Sequence, residues 1–369
     1  MERNDTNLTR KSIFWRFCMK NNGKVRTASL FGIALVLTAL IFSFTACNNG
    51  TDIAKPAAPS GLKTGGITEN SIGVSWDSLD GVSEYTVYVG TDSGNMTRRG
   101  TPTTASFTIT GLTPDTVYYI AVSATNASGE GAQSNPITVT TALAWSKVAD
   151  YDATDGDRIL GTLTAELAAT NGRYQESVLG NFIMDGIAEY ARYISGEKID
   201  FALHNDTFVR ATPTPILLAG ELSNSAITGL SGRDTLVVAT FTGRQVKDVI
   251  EGFVSSTSSG SWNRNCAPTV SKELSYTIDT STTPPQAKDI KVNGAAIDET
   301  KDYRIAAGDF IGDNTDETRF FPVLSNEKKT KYAPTTLQQA LAMYVLAKGT
   351  INPADYPLGR YTGEVPVIP

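Results

Sequence analysis

The 369-residue chain carries 32 Lys and Arg against 38 Asp and Glu, with one His and three Cys. Its net charge of −6 lacks the broad basic surface that nucleic-acid binding needs, so nucleic acid is not an expected partner. A binuclear metal site draws on several imidazoles together with carboxylates, and the one histidine, His204, cannot supply them. Its expected place is in or beside a core strand.

Ser29 to Ala46 is an almost unbroken apolar run of 18 residues that stops at Cys47, with Lys20, Lys24 and Arg26 just upstream. Basic residues, an apolar run and small residues before a cleavage point make a secretory signal. Phe44-Thr45-Ala46-Cys47, followed by polar Asn48-Asn49-Gly50, resembles a bacterial lipoprotein signal, although Phe44 replaces the usual leucine. The resemblance implies cleavage after Ala46 and lipid on Cys47. An uncleaved transmembrane anchor is the competing reading, since the run is nearly long enough to span a bilayer; the small residues before Cys47 favour cleavage. A start at Met19 would give a signal of 28 residues in place of 46. Asn48 stands where an aspartate would retain a lipoprotein on the inner membrane, which points to an exported protein held in the cell envelope, at the outer membrane or cell surface.

Residues 1–46 hold seven basic and two acidic side chains; without them 323 residues remain, with 25 basic, 36 acidic and a net charge of −11. That length suggests two or three domains. With Cys47 lipidated, only Cys266 remains, so no intramolecular disulfide is expected.

Residues 47–55 read as a linker. From 56 to 142 the chain alternates apolar and polar in short runs such as Ile72-Gly73-Val74-Ser75-Trp76, Tyr85 to Val89 and Tyr118 to Ala124, separated by turn residues. This is the pattern of an all-β sandwich. Pro59, Leu62, Trp76, Tyr85, Leu112-Thr113-Pro114-Asp115-Thr116-Val117-Tyr118 and the Asn126–Gly131 loop resemble an immunoglobulin-like fibronectin type III domain. Tyr118 falls where that family places a tyrosine corner. No Arg-Gly-Asp occurs, and the expected role is a rigid spacer.

After a second linker, 143–150, the texture becomes mixed. Helices are expected at Gly161–Thr170, Glu176–Ile194, Gln245–Val254 and Leu337–Lys348, the last stopped by Gly349. Strands are expected at Ile199–Leu203, Leu236–Phe241, Tyr276–Asp279, Ile290–Val292 and Tyr303–Ala307, and a Ser/Thr/Gly-rich loop at Ser255–Asn265. This order makes 151–369 an α+β domain.

That domain resembles the C-terminal, substrate-binding domain of bacterial 5'-nucleotidases. The resemblance rests on Arg173-Tyr174-Gln175-Glu176-Ser177-Val178-Leu179-Gly180-Asn181 with Asp185, on Asp200 to Asn205 with Arg210, on Leu236-Val237-Val238 with Thr242-Gly243, and on Val292-Asn293-Gly294, Tyr303 to Ala306 and Asp309-Phe310. It implies that Arg173 and Arg210 contact a substrate phosphate, for which planar guanidinium donors are suited. It implies that Asn205, Phe310 and Asp316 form the base and ribose set, with Phe310 stacking and Asp316 on the hydroxyls. A surface ion pair or cap is the alternative role for the two arginines.

The chain departs from the family in three segments. Asn205-Asp206-Thr207-Phe208 replaces an Asn-Gly-Gly loop, Leu230-Ser231-Gly232-Arg233 replaces the segment bearing a second stacking aromatic, and Asn314 to Thr318 replaces a Gly-rich turn. In the family this domain follows a metallophosphatase domain; here a fibronectin-like domain precedes it, and neither Asn-His-Glu nor Asp-x-His occurs. No catalytic residue, metal ligand or cofactor is therefore expected. The expected partners are a nucleotide or nucleoside, the membrane through Cys47, and a separate metallophosphatase. The alternative is a non-catalytic adhesion or interaction protein that keeps the domain as scaffold.

Overall fold

The computed structural model describes residues 53–169, 175–205, 216–230, 233–255, 266–313 and 325–363. Both folded regions belong to one compact unit, Pro56–Pro369.

The N-terminal region is a two-sheet sandwich. Lys63–Ile67, Ser71–Ser75 and Ser106–Thr110 form one antiparallel sheet. Glu84–Gly90 and Val117–Asn126 form the centre of the other, flanked by Thr97–Gly100 and Ile137–Thr140. Alternation puts Ile72, Val74 and Trp76 opposite Tyr85, Val87, Ile120 and Val122 in one dry core. The Trp76 and Tyr85 rings meet edge-on at 5.3 Å, an arrangement their quadrupoles favour. The backbone N–H of Thr113 donates to the Tyr118 hydroxyl at 3.0 Å, which closes the expected tyrosine corner.

The C-terminal region is built on a five-stranded sheet. Its strands are β1 (Phe201–His204), β2 (Thr235–Thr242), β3 (Thr269–Val270), β4 (Asp302–Gly308) and β5 (Lys329–Thr336), in the order β3-β1-β4-β2-β5. β1 and β4 are parallel, and the other pairs are antiparallel. Four helices are used below: α1 (Val178–Ser195), α2 (Gly243–Val254), α3 (Asp309–Gly312) and α4 (Leu337–Lys348). Ala202, Leu236, Val238 and Ala306 face a core shared with α1 and α4. Their neighbours Phe201, Leu203, Val237, Ala239 and Ile305 face a second core, shared with α2 and a smaller sheet centred on Leu274–Asp279 and Gln286–Val292. A sheet buried on both faces needs apolar residues at every position of its central strands, and Leu236 to Ala239 meet that demand.

The helix ends follow local chemistry. Thr242 with Gln245, and Thr336 with Gln339, each form a reciprocal capping box. Gly349 stops α4 at a φ of 77°, a conformation that favours glycine.

One expected helix is absent. Residues 161–170 were expected to be helical, but Ile159–Leu163 and Leu167–Ala168 are strands. Ile159–Leu163 lies between Gly220–Ser223, to which it is antiparallel, and Thr350–Ile351, to which it is parallel. Leu160, Leu163 and Leu167 recur at the three- and four-residue spacing of a helix, yet all three are buried strand residues. The contacts decide: a Cβ on Gly161 would lie 2.4 Å from the Gly349 carbonyl oxygen, so this backbone is held against another segment.

Residues 143–150 are packed. The Ala144 N–H donates to the Ala347 carbonyl at 3.1 Å, and the Trp145 ring stacks on Tyr193 at 4.5 Å. Lys348 reaches Asp115 of the sandwich at 2.8 Å. Among the described residues, no helix is long and apolar enough to cross a membrane.

Gly186 lets α1 and α4 approach closely, since an added Cβ would sit 2.6 Å from Tyr344 and 2.7 Å from Leu341. Gly186→Ala is expected to destabilise the protein by about 1–3 kcal/mol, read by denaturant unfolding. An unchanged midpoint would show that the two helices separate freely.

Candidate functional site

The parallel register pairs Phe201 with Ile305 and Ala202 with Ala306. The carboxyl ends of β1 and β4 therefore lie side by side at one edge of the sheet. In α/β sheets, ligands bind beyond such ends. Asn205 directly follows β1 and is buried. Phe310 lies in α3, which directly follows β4; it is half-buried and packs against the second core. The fold thus brings together two of the expected ligand residues, 105 positions apart in sequence. Arg173, Arg210 and Asp316 lie outside the described residues, as do Cys47, Phe208 and the loop at 256–265. Arg233 is described and exposed.

The same edge contains the histidine. His204, fully buried at the end of β1, has its Nε2 3.3 Å from Asp234 Oδ2, just before β2. Gly308 makes room for both: a Cβ there would lie 2.7 Å from His204 and 2.8 Å from Asp234. The expectation that His204 sits in or beside a core strand holds, while its approach to Asp234 had no signal in the sequence. Next to it, Lys331 pairs with Asp309 at 2.9 Å and Lys329 with Asp313 at 2.7 Å. The Lys329 ammonium holds the Asp313 carboxyl below its ordinary range, and Asp309 holds Lys331 above its own. Among the described residues, Lys329 and Lys331 match the two carboxylates at this corner of the edge.

The motif that opens α1 has structural work. Ser177 caps the helix by accepting from the Gly180 N–H at 3.1 Å. Glu176 accepts from the N–H groups of Gly359 and Arg360 at 2.8 and 3.1 Å, and from the Asn181 amide at 2.7 Å. Asp185 and Arg360, each with a side chain 5% exposed, form a two-pronged ion pair at 2.7 and 2.8 Å. Burial pushes the Asp185 carboxyl up, and the Arg360 guanidinium opposes it. Arg360 also donates to the Val270 carbonyl at 2.8 Å. The motif thus clamps the segment around Arg360 onto the start of α1. The sequence offered no signal for this pairing, because a partner 175 residues away follows no local spacing.

Residues 158–326 match the family described as 5'-nucleotidase, C-terminal domain, and residues 57–140 match the fibronectin type III domain. The trifunctional nucleotide phosphoesterase protein YfkN of Bacillus subtilis is 30% identical over 167 residues, covering 43% of this chain and 11% of that protein. Exoglucanase B of Cellulomonas fimi is 34% identical over 123 residues, covering 32% of this chain and 11% of that protein. The chain spans about a tenth of the length of these two relatives. Among solved structures, a 5'-nucleotidase precursor from Thermus thermophilus aligns with a TM-score of 0.45 at 18% identity, over 66% of this chain and 49% of that one.

Arg360→Met leaves the Asp185 carboxylate buried without its partner and is expected to cost about 3–5 kcal/mol in chemical unfolding. A loss under about 1 kcal/mol, typical of a surface pair, would contradict the clamp.

Proposed function

We propose that this chain, which joins a fibronectin type III domain to a 5'-nucleotidase C-terminal domain, binds a nucleotide or nucleoside at the sheet edge formed by β1 and β4, and binds it without hydrolysing it. The nucleotidase-like substrate-binding region is common ground with nucleotide phosphoesterases. The observation that carries the reading is the placement of Asn205 and Phe310 at adjacent strand ends by a parallel pairing. Phe310 stacks the base, Asn205 supplies polar contacts, and Asp316 takes the ribose hydroxyls. Arg173 and Arg210 pair with phosphate through guanidinium forks. With one histidine in the chain, a di-metal hydrolytic site comes from a separate metallophosphatase that receives or delivers the same ligand.

We place the protein in the cell envelope, tethered through lipid on Cys47, with the fibronectin domain as the spacer between membrane and site. A second reading, a scaffold without ligand, is favoured by the structural occupation of Glu176, Ser177 and Asp185 in the α1 motif.

Calorimetry of the full chain against AMP, adenosine and UDP-glucose distinguishes these readings. Binding of at least one ligand is expected, with Phe310→Ala weakening it by about 10- to 100-fold, the worth of one base stack. No heat with any of the three at millimolar concentration would leave the scaffold reading standing. Free phosphate from AMP should stay at background even with added Mn²⁺, Zn²⁺ or Co²⁺; metal-dependent release would overturn the binding-only assignment.

For the anchor, Cys47→Ala should abolish incorporation of labelled palmitate and move the protein from the membrane fraction to the soluble one. Unchanged membrane association would support the uncleaved anchor.

A further inference from the structure

Gly308 is a meeting point of strand ends. His204 closes β1, Gly308 closes β4, and Asp234 immediately precedes β2. The antiparallel register pairs Leu236 with Gly308. Asp234 and Phe310 each lie two residues beyond that pair, at the same end of the ladder. The Asp234 side chain rests on the Gly308 backbone, where an added Cβ would lie 2.8 Å from both its Cβ and its Oδ2. We infer that Asp234 reads the base of the bound ligand and selects guanine. This inference rests on the nucleotide reading proposed above and names the base that the same sheet edge prefers.

The placement of the carboxylate carries the argument. On its buried side stands His204, whose ring is fully enclosed and whose Nε2 lies 3.3 Å from Asp234 Oδ2. The imidazole also closes on Gly308, 2.7 Å from where a Cβ would sit. The Asp234 side chain is therefore backed by the fold on one side, and 28% of it is exposed at the edge on the other. Phe310, the stacking residue of the proposed site, leaves the same strand end two residues after Gly308. A base stacked on Phe310 meets Asp234 along its hydrogen-bonding edge.

The chemistry of that edge names the base. An ionised carboxylate offers acceptors only. Guanine presents two donors side by side, N1–H and the 2-amino N–H, which the two oxygens of one carboxylate accept together as charge-assisted bonds. Adenine presents a single donor, its 6-amino group, next to the N1 lone pair, which would face the carboxylate with no proton between them. Cytosine has the same donor-beside-acceptor pattern, and uracil holds its one N–H between two carbonyls. A two-pronged contact of this kind discriminates between bases by roughly 5- to 150-fold.

The test is calorimetry of the full chain with GMP, IMP and AMP, which share ribose and phosphate and differ in the base alone. GMP is expected to bind at least about tenfold more tightly than AMP. IMP keeps the N1–H and lacks the 2-amino group, so its affinity should fall between the two. Asp234→Asn is nearly isosteric and turns one acceptor into a donor; it should lower the ratio of GMP to AMP affinity at least about fivefold. That ratio is read within one sample, so a smaller folded fraction does not move it. AMP or IMP binding as tightly as GMP, or an unchanged ratio in Asp234→Asn, would overturn the assignment to Asp234 and leave the nucleotide reading in place. No heat with any of the three at millimolar concentration would remove the nucleotide reading, and this inference with it.

Discussion

The parallel pairing of β1 with β4 is the constraint on which the rest of the C-terminal domain depends. Parallel neighbours cannot be joined by a tight turn, so the chain between them must travel away from the sheet and return. Here that excursion supplies α2 and the smaller sheet, which cover one face, while α1 and α4 cover the other. Covering both faces makes the strands apolar throughout and drives the polar residues to their ends. His204 at the end of one strand, Asn205 after it, and Asp309 after the other are where the sequence becomes polar again. The proposed site lies at the edge because the middle of the sheet is buried on both faces.

The same constraint explains why so much charge near α1 is structural. A helix packed this tightly on a sheet leaves its first turn partly buried, and buried polar groups must be bonded. Ser177, Glu176 and Asp185 are used for that purpose, with Arg360 arriving from far along the chain to neutralise the carboxylate. The proposed ligand recognition is thereby left to the strand ends and the segments that continue from them.

The parts of this fold that were legible in the sequence were those set by neighbours within a few residues. The spacing of Thr336 to Gln339, and Gly349 after Lys348, bounds α4 directly; the run Leu236–Phe241 marks a buried strand; Leu112 to Tyr118 marks the tyrosine corner. The stretch after Gly161 reads as a helix because Leu160, Leu163 and Leu167 recur at helical spacings of three and four, yet the chain is extended there. What overrides that spacing is the Gly349 backbone, 188 residues from Gly161. Arg360 was invisible for the same reason. Asn205 and Phe310 were found by motif resemblance, and only the parallel register puts them at one edge. The sandwich was read as a spacer, yet its Asp115 also meets Lys348 of the C-terminal domain, which no pattern in either domain alone could show.

The central claim is that the ends of β1 and β4 form one ligand-binding edge. Hydrogen–deuterium exchange of the full chain with and without AMP tests it most directly. Protection by AMP concentrated in residues 201–210 and 308–316 is the predicted result. Unchanged exchange in both segments at saturating AMP, or protection confined to the sandwich, would contradict it.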